Sequence, residues 1–221
     1  MHYLSLALYA EGPTDYSFLC PVLERLCEAI CLGDAPQPVE ISECLSLNHP
    51  ESANDAPREQ RIFEAAQGGR GHWGVLFIHA DGAGDPVRVR NQQAQPAIDR
   101  LRQAFANEGV GVAVVPVRET EAWAIVDGEA LRQVFGTTLT DDEMGLPPSP
   151  GSAEAAADPK ATLAAAFKAT HPSGLRKRRG VSPMLNALGE QVSLQRLRQL
   201  DAFAALDSEL RLALRQLRIL E

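Results

Sequence analysis

The chain has 221 residues, 45% hydrophobic and 23% charged, enough for one sizeable core or a core with a small annex. A formal net charge of −8 argues against a general polyanion binder, so contact with nucleic acid would need a local basic patch or bound cations. The N-terminus carries no basic segment leading into an apolar core, and no apolar run approaches the ~20 residues that cross a bilayer, so a cytoplasmic protein is expected.

In chain order, YLSLALYA (3–10) reads as a strand. From Pro13 to Ile30, apolar residues recur at helical spacing, and Pro13 suits a first turn. VEISECLSL (39–47) alternates like a second strand, and APREQRIFEAAQ (56–67) reads as a helix stopped by Gly68-Gly69. WGVLFIHA (73–80) and VGVAVVPV (110–117) are near-continuous apolar runs, as in strands buried on both faces. Between them QPAIDRLRQAFANEG (95–109) predicts a helix, and ETEAWAIVDGEALRQVFG (119–136) predicts another.

This alternation predicts an α/β core over 1–136, a parallel four-stranded sheet with helices on both faces. Pro, Gly, Ser, Ala and acidic residues make 137–158 a loop or linker. The remainder, 159–221, is expected to be a helical C-terminal extension, interrupted by a basic loop at 172–183 and striped with leucines that pack on the first domain or on each other. Of the four cysteines, Cys20, Cys27 and Cys31 share one predicted helix and Cys44 follows. With no C-x-x-C pair, reduced buried thiols are the expectation.

Ligands of such sheets bind beyond the carboxyl ends of the strands, where strand order reverses. Acidic residues occupy those positions: Glu11 after the first strand, Asp81 after the third, Glu119 and Glu121 after the fourth. Singly they have ordinary uses: Asp81 in an Asp-Gly turn, Glu119 as a cap, and the nearby Asp15 at the positive end of a helix. Jointly they would repel, since two charges 4 Å apart at an effective dielectric of ~20 interact by about 4 kcal/mol. A hard dication, Mg²⁺ or Mn²⁺, with oxygen ligands resolves that repulsion and suits phosphate-ester chemistry. His79 shares an alternation phase with Asp81 and reads as a satisfied core histidine; Trp123 reads as core packing.

The stretch YAEGPTDYSFL followed by VLFIHADGAGD resembles the Toprim fold, the catalytic core of topoisomerases, primases, recombination-repair proteins and OLD-type nucleases. ETEAWAIVD, DPKATL and the helical tail after GVSP further resemble a bacterial Toprim-like family of unknown function, whose members often lie beside ATPase genes in presumed anti-phage loci. By that resemblance Glu11 is a catalytic and metal-binding glutamate, and Asp81 is the first aspartate of an Asp-x-Asp pair. Ala83 stands where the second would be, with Asp85 the candidate substitute. Glu121 joins the metal ligands and Lys160 stabilises the developing phosphorane charge.

Arg176, Lys177, Arg178 and Arg179 form the one local polycation, a candidate nucleic-acid contact or a solvated loop. No Walker motif or nucleophile elbow is present, so any ATP use falls to a partner ATPase. The expected function is a metal-dependent nuclease-like phosphodiesterase acting on nucleic acid, with the resemblance implying the effector of a defence system. The alternatives are a non-catalytic module that regulates an ATPase partner and a small-molecule phosphatase.

Overall fold

Four strands, β1 (His2–Tyr9), β2 (Val39–Ser46), β3 (Val75–His79) and β4 (Val110–Val114), pair in parallel in the order β2-β1-β3-β4. The computed structural model describes residues 1–106 and 108–221. β1 and β3 are therefore neighbours and the chain winds away from them in both directions, which makes the gap between their carboxyl ends the switch point. Every residue of β3 is buried, as its unbroken apolar run requires, whereas the edge strand β2 is half-exposed. The β1–β2 register shifts between Leu4 and Leu6, and the Leu6 N–H turns to the Ser42 hydroxyl at 3.0 Å.

The first helix, α1 (Pro13–Asp34), starts at Pro13, with Asp15 reaching back to accept from the Gly12 N–H at 3.0 Å. It covers one sheet face. The other face is covered by α2 (Arg58–Gly68) and, beyond the one-turn α3 (Pro86–Val89) and a π-turn at Arg90–Ala94, by α4 (Gln95–Phe105). Of the helix expected over 95–109, residue 107 lies outside the described residues.

The segment expected as one helix over 119–136 is two: α5 (Glu121–Ala124) and α6 (Gly128–Phe135). Asp127 makes the break. Its backbone is extended, and its buried carboxylate caps α6 through the Glu129 and Ala130 N–H groups while also accepting from the Ser193 N–H at 2.9 Å.

Within 137–158 lies α7 (Pro150–Glu154), followed by α8 (Pro159–Ala169). Residues 172–183, expected as a loop, contain α9 (Gly174–Arg179), after which come α10 (Leu185–Gln191), α11 (Leu194–Leu197) and α12 (Asp201–Gln216). Apart from α9, which buries no residue, these helices share one core with α1: a single buried cluster runs from Leu4 and Phe18 through Trp123 and Leu188 to Leu220. Gly189 on α10 lets it pack closely on α1, since a Cβ there would stand 2.3 Å from the Phe18 carbonyl oxygen. Arg25 fastens the same contact by donating to the Gly189 and Val192 carbonyls.

Glu209 on α12 performs a different task. One carboxylate oxygen accepts the outward Ala113 N–H of the edge strand β4 at 3.1 Å, and the other takes the Arg90 guanidinium at 2.9 Å. Among the described residues no helix is long and apolar enough to cross a membrane. All four cysteines carry free thiols.

Candidate active site

The carboxyl ends of β1, β3 and β4 each lead directly into acidic residues, so strand order alone brings them to one rim. β3 and β4 are tied together there. A Cβ on Gly82 would lie 2.1 Å from the Pro116 carbonyl oxygen, and the Gly84 N–H donates to the Val117 carbonyl at 2.7 Å. Only glycine lets the loop after Asp81 lie this close to the backbone that leads to Glu119.

His79 stands at the centre, fully buried. Its Nε2 is 3.0 Å from the Thr120 hydroxyl and 3.4 Å from Asp81 Oδ1, and its Nδ1 is 3.8 Å from Asp15 Oδ2. Asp15 and Asp81 therefore flank one imidazole. Burial, opposed by His79 and reinforced by the charge of Asp81, raises the Asp15 carboxyl above the usual range. Glu121 is raised too, first by burial and then by Glu119 and Asp15, with Lys160 opposing. Asp81 Oδ1, Glu119 Oε2 and His79 Nδ1 are buried with no hydrogen-bond partner.

Glu11 lies on the same rim, held differently. Arg58 on α2 reaches its carboxylate with one Nη at 3.0 Å and the His79 carbonyl with the other at 2.5 Å. One guanidinium thus spans the ends of β1 and β3. Asp85 is directed elsewhere: its carboxylate caps α3 by accepting from the Arg88 N–H at 3.0 Å and faces the Arg88 side chain. Ala83, with a left-handed backbone at φ 49°, is exposed.

Lys160, at the start of α8, is close enough to Asp15 and Glu121 to oppose the rise of both carboxyls without cancelling it. Of the four cations at 176–179, Arg176 serves the fold. It donates to the Phe135 carbonyl and stacks over Phe167 at 5.4 Å, while Lys177, Arg178 and Arg179 are exposed. Phe167 lies seven residues beyond Lys160, about 10 Å of helix rise along α8.

No three His, Cys, Asp or Glu side chains among the described residues form a preformed chelate. The donor chemistry nevertheless fits a hard dication. The ligands on offer are oxygens, two of them are buried and unpartnered, and burial pushes two carboxyls toward the neutral form despite His79 and Lys160 nearby. Sequence reasoning had assigned Asp15 to the helix dipole and His79 to the core. The available signal was the stretch Glu-Gly-Pro-Thr-Asp itself, which carries Asp15 into the first turn of α1 directly after Glu11. No family model matches the chain, and no curated protein or solved structure matches it.

Proposed function

We propose that the chain is a Mg²⁺- or Mn²⁺-dependent phosphodiesterase acting on nucleic acid. The observation that carries this reading is the convergence of Asp15, Asp81, Glu119 and Glu121 at one switch point, with buried carboxylate oxygens of Asp81 and Glu119 unpartnered. Clusters of raised carboxyls in such a position are candidates for chemistry. The resemblance to Toprim enzymes supports the same reading.

Asp81, Glu119, Glu121 and Asp15 would hold the dication, with Glu11 joining them by leaving Arg58. Bound there, the ion would polarise the phosphoryl oxygen and offset charge on the leaving oxygen. Lys160 supplies a second positive charge at the rim and steadies the negative charge that builds on the phosphoryl group. His79, buried and hydrogen-bonded to Thr120, keeps Asp15 and Asp81 apart and fixes their orientation rather than touching substrate.

The test is cleavage of labelled single- and double-stranded DNA and RNA with Mn²⁺ or Mg²⁺, against chelator, by the wild type and Asp81→Asn. Dication-dependent cleavage abolished in the variant is expected; a fully active Asp81→Asn enzyme refutes the reading. One observation favours a second reading, a non-catalytic module that regulates an ATPase partner: Ala83 offers no second carboxylate and Asp85 is committed to α3. Calorimetric titration of Mn²⁺ separates the two, since such a module would bind none.

A further inference from the structure

A cleft of about 690 Å³ opens beside Glu11, beyond the ends of β1 and β2, on the side of the rim away from β4. Its size suits a nucleotide unit. Its walls include the turn Glu11-Gly12-Pro13, Asn48, His49 and the arginines Arg58 and Arg61, one turn apart on α2.

The hydrogen bonds within the cleft show what is left for a ligand. Tyr9 and His49 satisfy each other, the Tyr9 hydroxyl meeting His49 Nδ1 at 2.8 Å while His49 Nε2 meets Asn54 Oδ1 at 3.0 Å. The Tyr16 hydroxyl is committed to backbone, donating to the Leu47 carbonyl and accepting from the Ala10 N–H. Arg58 is divided between Glu11 and the His79 carbonyl. Arg61 differs: among the described residues no carboxylate pairs with it, and its Nε, like that of Arg58, is buried without a partner.

Two guanidinium groups against one carboxylate leave the cleft with a net positive charge in a chain of net charge −8. A half-buried arginine with unmet donors costs stability, and a guanidinium fork is matched in geometry to phosphate oxygens.

We propose that this cleft binds a backbone phosphate of the nucleic-acid strand next to the one that is cleaved, with Arg61 as its principal ligand and the Arg58 guanidinium adding positive charge beside it. The inference rests on the phosphodiesterase reading for the neighbouring rim and adds a strand-positioning subsite to it. The strand would run from the cleft, past Glu11, to the carboxylates and Lys160.

The experiment measures fluorescence anisotropy of 5′-labelled single-stranded 12-mers, DNA and RNA, with chelator present so that neither cleavage nor metal contributes. Arg61→Gln is expected to weaken binding about tenfold, the loss of one charge-assisted contact. It should also reduce the slope of log K against log salt by about 0.7. Arg61→Lys should retain the slope and lose only part of the affinity. Unaltered affinity and slope in Arg61→Gln, with a wild-type thermal midpoint, overturn the subsite. So does a labelled nucleoside 5′-monophosphate that binds as tightly as the 12-mer, because the cleft would then take a free nucleotide. Failure of wild-type protein to cleave with Mn²⁺ counts against the phosphodiesterase reading alone, since these titrations contain no dication.

Discussion

Replacing Asp15 with Asn should make the metal-free protein more stable and the Mn²⁺-loaded protein less stable than wild type. Asp15 lies across the His79 ring from Asp81, and its carboxyl is raised chiefly by burial. A raised carboxyl means that the folded chain holds its proton more tightly than the unfolded chain. Ionised Asp15 therefore costs stability, fully above its folded pKa, and the cost fades as pH falls through that value to the ordinary carboxylate range. Asp15 and Asp81, on the order of 8 Å apart, repel by about 2 kcal/mol at an effective dielectric near 20. Solvent at Asp81, whose side chain is 40% exposed, reduces this to about 1 kcal/mol.

Asn retains an oxygen for the Gly12 N–H and loses about 0.5 kcal/mol of attraction to the helix N-terminus. The net gain raises the midpoint by about 1–2 °C in a chain of this size. With Mn²⁺ at a hundred times its Kd, wild type gains about 2.7 kcal/mol. That is about 5–10 °C, most of which the variant forfeits. Thermal melts near neutral pH, with and without Mn²⁺, give the four midpoints. An Asp15→Asn protein that melts below wild type without metal, or gains as much from Mn²⁺, refutes the reasoning.

Mn²⁺ affinity measured by calorimetry should fall as pH drops through a range above that of ordinary carboxylates, because both Asp15 and Glu121 take up protons early. Lys160→Met should lower the cleavage rate about a hundredfold with little change in thermal midpoint, since the side chain is exposed. Gly82→Ala should cost about 3 kcal/mol in denaturant melts, the added methyl meeting backbone carbonyls that have nowhere to go. Neutralising Lys177, Arg178 and Arg179 together should reduce the salt slope of single-strand binding by about 2 if α9 grips phosphates, and an unchanged slope would remove α9 from the interface.

Much of the fold was legible in the sequence because its signals are local. The buried strands are unbroken apolar runs, α1 carries Pro13 in its first turn, and the acids fall directly after strand ends. What escaped depends on distant partners. The stretch at 174–179, bracketed by Pro172 and Pro183, reads as a loop until Arg176 finds the Phe135 carbonyl and the Phe167 ring. The break at Asp127 was audible in Asp-Gly, yet the Ser193 N–H that completes the cap lies 66 residues away. Asp15 and His79 belong to the site only because parallel pairing sets β3 beside β1 and next to the turn from β4. Arg61 gave no sign at all: an arginine on a helix surface is ordinary until its neighbours prove to be already occupied.

The Glu209 contact with the Ala113 amide has a consequence for assembly. A parallel sheet that ends in an open strand invites a second chain to zip onto it, and here that invitation is withdrawn by a carboxylate borrowed from α12 and anchored by Arg90. Removing that final helix would do more than thin the core. It would uncover a sticky ribbon, and copies of the shortened protein should clump through β4 more readily than the intact molecule.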